Sequence, residues 1–139
     1  MSSIFSKIIA GELPGHFVWR DEQTVAFMTI APIVPGHLLV VPVQEIDHWD
    51  DLPVDLANHC FAVARSITKA QKSVYDCQRV ALQIIGLEVP HTHLHLIPIN
   101  TMDEANIARA KPAEAAELAA EADKLRAALV DGGHAEAKL

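Results

Sequence analysis

The sequence predicts an α+β domain on three observations. Four short β-rich runs are broken by proline and glycine, a fifth run alternates histidine with other residues, and three stretches carry apolar residues at helical spacing. At 139 residues and 50% hydrophobic content, the chain can bury one core of its own.

Ile4, Phe5, Ile8 and Ile9 stand at helical spacing, and Gly11 with Pro14 ends that short helix. Phe17-Val18-Trp19 and Thr24 to Met28 are β-rich runs joined by Arg20-Asp21-Glu22-Gln23, a polar link of hairpin length, so they should pair antiparallel. Pro32, Pro35 and Gly36 punctuate a loop before His37 to Val41, a nearly continuous apolar strand that Pro42 bounds. Pro53 suits a first helical turn, and Leu56, Cys60, Phe61, Ala64, Ile67 and Thr68 follow at steps of three and four, which predicts a central amphipathic helix over 53–72. Arg79 to Ile85 reads as a strand, and Gly86 either as a bend that lets backbone approach a phosphate or as an ordinary turn glycine. The run between Pro90 and Pro98 reads as the last strand, with the prolines near strand ends or on an edge. Residues 112–130 are rich in helix formers, with Leu118, Leu125 and Leu129 on one stripe; the tail after Asp131-Gly132-Gly133 has nothing to bury and should fray. Residues 1–110 are expected to form the domain, and 111–139 a helix and tail packed on it or extending from it.

The formal net charge of −7, with no Lys/Arg cluster, argues against DNA or RNA as a partner. A small anion remains compatible, because histidines and backbone N–H groups can make a favourable local pocket. Cys60 and Cys77 have neither Cys-x-x-Cys spacing nor a framework count, which fits free thiols and a reducing compartment. Met1 to Ala10 shows no leader pattern, and nowhere do about 18 apolar residues run together, so a cytoplasmic protein without a membrane partner is expected. Asp47, Asp50, Asp51 and Asp55 around Trp49 read as a solvated helix entry.

The chemistry lies in His91-Thr92-His93-Leu94-His95. On a strand, alternate side chains share a face, so three imidazoles line one side while Thr92, Leu94 and Leu96 line the other. A helix would swing successive histidines by about 200° and scatter them. Neighbours in such a row, with Cα atoms roughly 6.6 Å apart, should repel one another's protons and keep the central ring neutral. A neutral imidazole can attack phosphorus, form a phosphoramidate and give it up to water, while flanking rings hold the phosphate oxygens.

The segment from Gly86 to Leu96 resembles the histidine triad (HIT) signature, as do Ile4 to Pro14 and Ala31 to Pro42, so the likeness spans about residues 3 to 100. The resemblance implies an antiparallel sheet of about five strands with a long helix packed on it, usually a homodimer. It implies a purine mononucleotide or nucleotide conjugate as ligand, and hydrolysis at its α-phosphate through a nucleotidyl-histidine. By position, His93 is the nucleophile, His91 and His95 orient it and contact the phosphate or leaving group, and His37 is a fourth histidine at the site. Ile4, Phe5, Ile8, Phe27 and Ile30 fall where the family forms its purine pocket; Thr29, Glu88 and Val89 complete the nucleotide-binding set.

Three departures shape these expectations. Ser3, Ser6 and Glu45 stand where zinc-binding members carry thiols and a histidine, so neither a metal nor another cofactor is expected. Thr29 replaces the ribose-binding carboxylate or amide, and Leu87 a common glutamine after Gly86. Two competing readings remain: a non-catalytic nucleotide sensor or interaction module, and a histidine metal site.

Overall fold

A computed structural model describes residues 2–139; Met1, the first residue of the expected domain and of the Met1 to Ala10 stretch, lies outside them. Helix α1 (Ile4–Ile9) is followed by β1 (Phe17–Arg20), β2 (Thr24–Met28) and β3 (Leu38–Pro42). The long helix α2 (Val54–Val74) leads to β4 (Arg79–Gln83) and β5 (Leu94–Ile99), and α3 (Ala115–Asp131) follows, with a short helical turn at Ala135–Ala137 after it. The strands form one sheet in the order β1-β2-β3-β5-β4, every pairing antiparallel.

Each sheet face has its own cover. Ala26, Met28, Leu38, Val40, Leu94 and Leu96 meet α2 and α3 in the main core, with Leu56, Ile67, Leu118 and Leu125 opposite them. Val25, Phe27, Leu39 and Val41 point the other way, where Phe5 and Ile8 of α1 pack on them. Strand alternation thus divides the protein into a structural face and a second face that α1 covers only in part.

Four sequence expectations change. The buried stripe of α2 is Leu56, Cys60, Val63, Ala64, Ile67, Ala70 and Gln71, whereas Phe61 is 61% exposed. At 100° per residue, Phe61 falls off the line that Leu56, Cys60, Val63 and Ile67 draw, so its helical phase turns it to solvent. The last strand begins at Leu94, not His91, because Thr92 is tied to a loop: its N–H and hydroxyl both donate to the Ile46 carbonyl. Strand β4 ends at Gln83, and Gly86 (φ 75°) turns the chain with open space where a Cβ would stand. The tail is not frayed: Ala137 is buried in the main core and His134 packs on the Trp19 ring.

Pro98 obeys the expectation for a proline in a sheet. β3 pairs with β5 only from Leu94 to Leu96, so Pro98 has a single strand neighbour, β4.

Candidate active site

His37 stands one residue before β3 and His95 lies in β5, where it pairs with Leu39. Both therefore share the face that α1 partly covers, and His37 Nε2 comes within 3.0 Å of His95 Nδ1. His93 precedes β5 by one residue, and its ring lies 5.0 Å from that of His95. Phe5 packs edge-on against His93 at 4.8 Å and against His91 at 5.9 Å, so α1 reaches the cluster through one aromatic ring.

The hydrogen-bond partners fix the protons on these rings. His93 Nδ1 lies 2.7 Å from the His91 carbonyl, which can only accept, so Nδ1 carries the hydrogen and Nε2 keeps a free lone pair. The Ile33 N–H donates to His37 Nδ1, which makes His37 Nε2 the donor to His95 Nδ1. His95 Nε2 then carries a hydrogen. One unprotonated nitrogen on His93 and one N–H on His95 are left uncommitted, on rings 5.0 Å apart. Neither ring is sealed: His93 is 6% and His95 9% exposed, whereas His37 and His91 are fully buried.

His91 departs from the expectation that its ring meets the phosphate. Its Nε2 donates to the Pro42 carbonyl at 2.8 Å, and its Nδ1 accepts from the Ser3 hydroxyl at 2.7 Å. With both nitrogens spent, His91 orients His93 through its backbone carbonyl alone. Ser3 also caps α1 by accepting from the Ser6 N–H, while Glu45 takes the Ser3 N–H and the Ser6 hydroxyl. Ser3, Ser6 and Glu45, the positions compared above with zinc ligands, thus form one hydrogen-bonded knot with His91. Among the described residues, no three His, Cys, Asp or Glu side chains are arranged to hold a metal ion.

Burial, more than mutual repulsion, keeps the rings neutral. His37 is pushed down to about 3 by desolvation and then by His95; His95 is pushed down to about 4 by desolvation and then by His93. Desolvation also lowers His93, outweighing its bond to the His91 carbonyl and the nearby Glu88 carboxylate, both of which favour the charged form. Since these folded pKa values lie below that of an unfolded histidine, the unfolded chain binds more protons as the pH falls, and stability is lost on acidification. The urea midpoint is expected to be flat above about pH 7 and to start dropping below about pH 6.5, before the usual carboxylate range is reached, with the loss continuing towards the folded values of about 4 and 3. Urea titrations across that window check it; a midpoint that holds steady contradicts the neutral, buried cluster.

A family model described as the HIT domain matches residues 10–102, which include all four histidines. The chain belongs to the HIT domain family. It is 37% identical over 99 residues to an uncharacterized HIT-like protein of Methanocaldococcus jannaschii, covering 68% of this chain and 77% of that one. It is 36% identical over 104 residues to a purine nucleoside phosphoramidase of Escherichia coli, covering 68% of this chain and 85% of the relative. Among solved structures, a HIT-like protein of Bartonella henselae superposes with a TM-score of 0.82 at 29% identity, covering 91% of this chain and 96% of that one.

The remaining residues that the sequence comparison expects at a site divide by burial. Phe5, Ile8 and Phe27 are buried together in the small core beneath the histidines, and Val89 packs on them. Ile4 and Ile30 are exposed. Glu88 is exposed but near enough to bias His93. The Thr29 hydroxyl accepts from the Ala31 N–H at 3.3 Å in a local turn, and Leu87 is 91% exposed. A groove of about 620 Å³ lies elsewhere, between residues 28–36 and the start of α3, and touches none of the four histidines.

Two features of this HIT domain escaped sequence reasoning. Ser3 bonds across the fold to His91, a contact that no local pattern encodes. Gln71 is a fully buried polar residue on the apolar stripe of α2, four residues after Ile67; that interruption was a readable signal.

Proposed function

We propose that this HIT-domain chain is a nucleotide hydrolase of the phosphoramidase type. It cleaves at the α-phosphate of a purine nucleotide conjugate, whether a phosphoramidate, an adenylate or a dinucleoside polyphosphate. The observation that carries the reading is the pair of uncommitted nitrogens, an unprotonated Nε2 on His93 beside an N–H on His95. The Escherichia coli relative, named a purine nucleoside phosphoramidase, supports the same chemistry.

His93 Nε2 attacks the α-phosphorus as the bond to the leaving group breaks, giving a nucleotidyl-histidine. A leaving amine departs with a proton, for which the His95 N–H is the nearest uncommitted donor. His37 passes its Nε2 proton to His95 Nδ1 as that happens, and the water that then cleaves the N–P bond to release the mononucleotide returns a proton through His95 to His37, so both rings end neutral. Ile4, Ile30 and Val89, backed by the buried Phe5, Ile8 and Phe27, offer apolar surface to the purine, and Thr29 and Glu88 flank the sugar and phosphate. The scheme uses the chain's own side chains and calls for no cofactor.

The engaged Thr29 hydroxyl and the apolar Leu87 favour a second reading, a nucleotide sensor that binds without turnover. Incubation with adenosine 5′-monophosphoramidate, an aminoacyl adenylate and a diadenosine polyphosphate should release AMP from at least one. Calorimetric binding of AMP with no product across this panel would leave the sensor standing and remove the hydrolase.

The chain is further proposed to act as a cytoplasmic homodimer. Both cysteines are free, and no described helix is long and apolar enough to cross a membrane. β4 is an open sheet edge with Leu82 and Ile85 exposed beside it, a liability that a second copy would cover. Sedimentation should find a dimer that Leu82→Lys shifts towards monomer; a monomeric parent would remove this part of the proposal.

A further inference from the structure

Gln71 of α2 is fully buried on the structural face of the sheet, opposite the histidines. Its Nε2 donates to two carbonyls at once, Gly36 at 3.0 Å and Leu96 at 3.2 Å. Its Oε1 is buried with no partner among the described residues. Since two backbone acceptors demand the nitrogen, the amide cannot turn over to relieve the stranded oxygen. A buried unpaired oxygen is costly, and an apolar side chain would avoid it, so the residue's value lies in its two donors.

Those donors act where the sheet ladder runs out. β3 and β5 pair at Leu38 with Leu96, Leu39 with His95 and Val40 with Leu94. Continuing that register sets Gly36 opposite Pro98, which has no N–H to give. The Gln71 amide bridges the two strands at this point instead. The Gly36 carbonyl belongs to the peptide unit that leads into His37, whose N–H is held by Val34, and Leu96 directly follows His95. The clamp therefore fixes the backbone at both ends of the 3.0 Å bond between His37 and His95.

We propose that Gln71 is a positioning residue for this histidine relay: from the far side of the sheet it sets the separation of His37 and His95, and so the tautomer that leaves an N–H on His95. The inference deepens the hydrolase reading and rests on it for its effect on turnover, but its effect on the rings can be read without any reaction.

The test is Gln71→Met, which keeps the length of the side chain, removes both donors and also removes the unpaired oxygen, so losses and gains in stability offset each other. Long-range ¹H–¹⁵N spectra of the imidazoles should show a single tautomer for His95 in the parent and a mixture in the variant, while His37, held by the Ile33 N–H, keeps one tautomer in both. With adenosine 5′-monophosphoramidate, kcat should fall about tenfold while KM stays within about twofold, since the nucleotide surface is untouched. Ile67→Val, one turn earlier on the same buried stripe, is the control, with its loss of stability measured alongside. Unmixed tautomers with unchanged kcat in Gln71→Met would overturn the proposal, and so would equal mixing in Ile67→Val. If the parent releases no AMP, the hydrolase reading fails by itself; mixed tautomers then still support the clamp and unmixed ones overturn it. Should Gln71→Met not fold, Gln71→Asn, whose shorter arm cannot span both carbonyls, is read by the same spectra.

Discussion

His93→Ala is expected to lower kcat/KM on an adenylated substrate by about a thousandfold or more, the scale on which loss of a covalent nucleophile shows itself. The variant removes the lone pair on Nε2 and leaves the hydrogen bond between His37 and His95 in place. Phe5 loses one edge contact but stays packed on Phe27 at 5.5 Å, so the fold should persist and the circular dichroism should match the parent. Quenching the parent in alkali during turnover of a substrate labelled at the α-phosphate should trap label on protein, and mapping should find it on His93. No label in the parent together with undiminished turnover in the variant would refute the nucleotidyl-histidine. His91→Ala should behave differently. It strands the Ser3 hydroxyl and the Pro42 carbonyl, so its first effect is a loss of stability, read as a lower urea midpoint.

Gly36→Ala is expected to cost about 3 kcal/mol of stability, enough to lower the urea midpoint markedly and to disturb the site. Two independent penalties combine. Gly36 has φ 91°, a left-handed conformation that a Cβ disfavours, and a Cβ there would overlap the Tyr75 ring. That ring cannot easily step aside, because the Tyr75 hydroxyl donates to Glu121 of α3 at 2.7 Å. The Gly36 carbonyl also leads directly to His37, so any shift that relieves the overlap moves the relay. Tyr75→Ala made together with Gly36→Ala should cost less than the sum of the single changes by about 1 kcal/mol or more, because the overlap disappears while the backbone penalty stays. Additive costs in that cycle would show that the ring is not what forbids a side chain at position 36.

Much of the fold was legible because its signals are local. Ile4 to Ile9 and the α2 stripe announce helices by their period, and Thr24 to Met28 and Leu38 to Val41 announce strands by composition, with prolines and glycines marking the joints. The misread positions are those where distant contacts outweigh local preference. Thr92 bonds to Ile46 and so delays β5, Phe61 falls outside the buried arc of α2, and the tail that looked idle seats Ala137 in the core.

The site divides along the same line. By itself the sequence determined which side chains could carry the chemistry, since four histidines in these surroundings are a chemical fact that folding does not alter, and it determined the family to which the chain belongs. Only the tertiary structure decided what each histidine can do. A ring's role depends on which nitrogen holds the proton, and that is set by partners distant in the chain: Pro42 and Ser3 for His91, and His37 for His95. Residue type is written locally, whereas protonation and tautomer follow from the field and the hydrogen bonds that the folded neighbours supply.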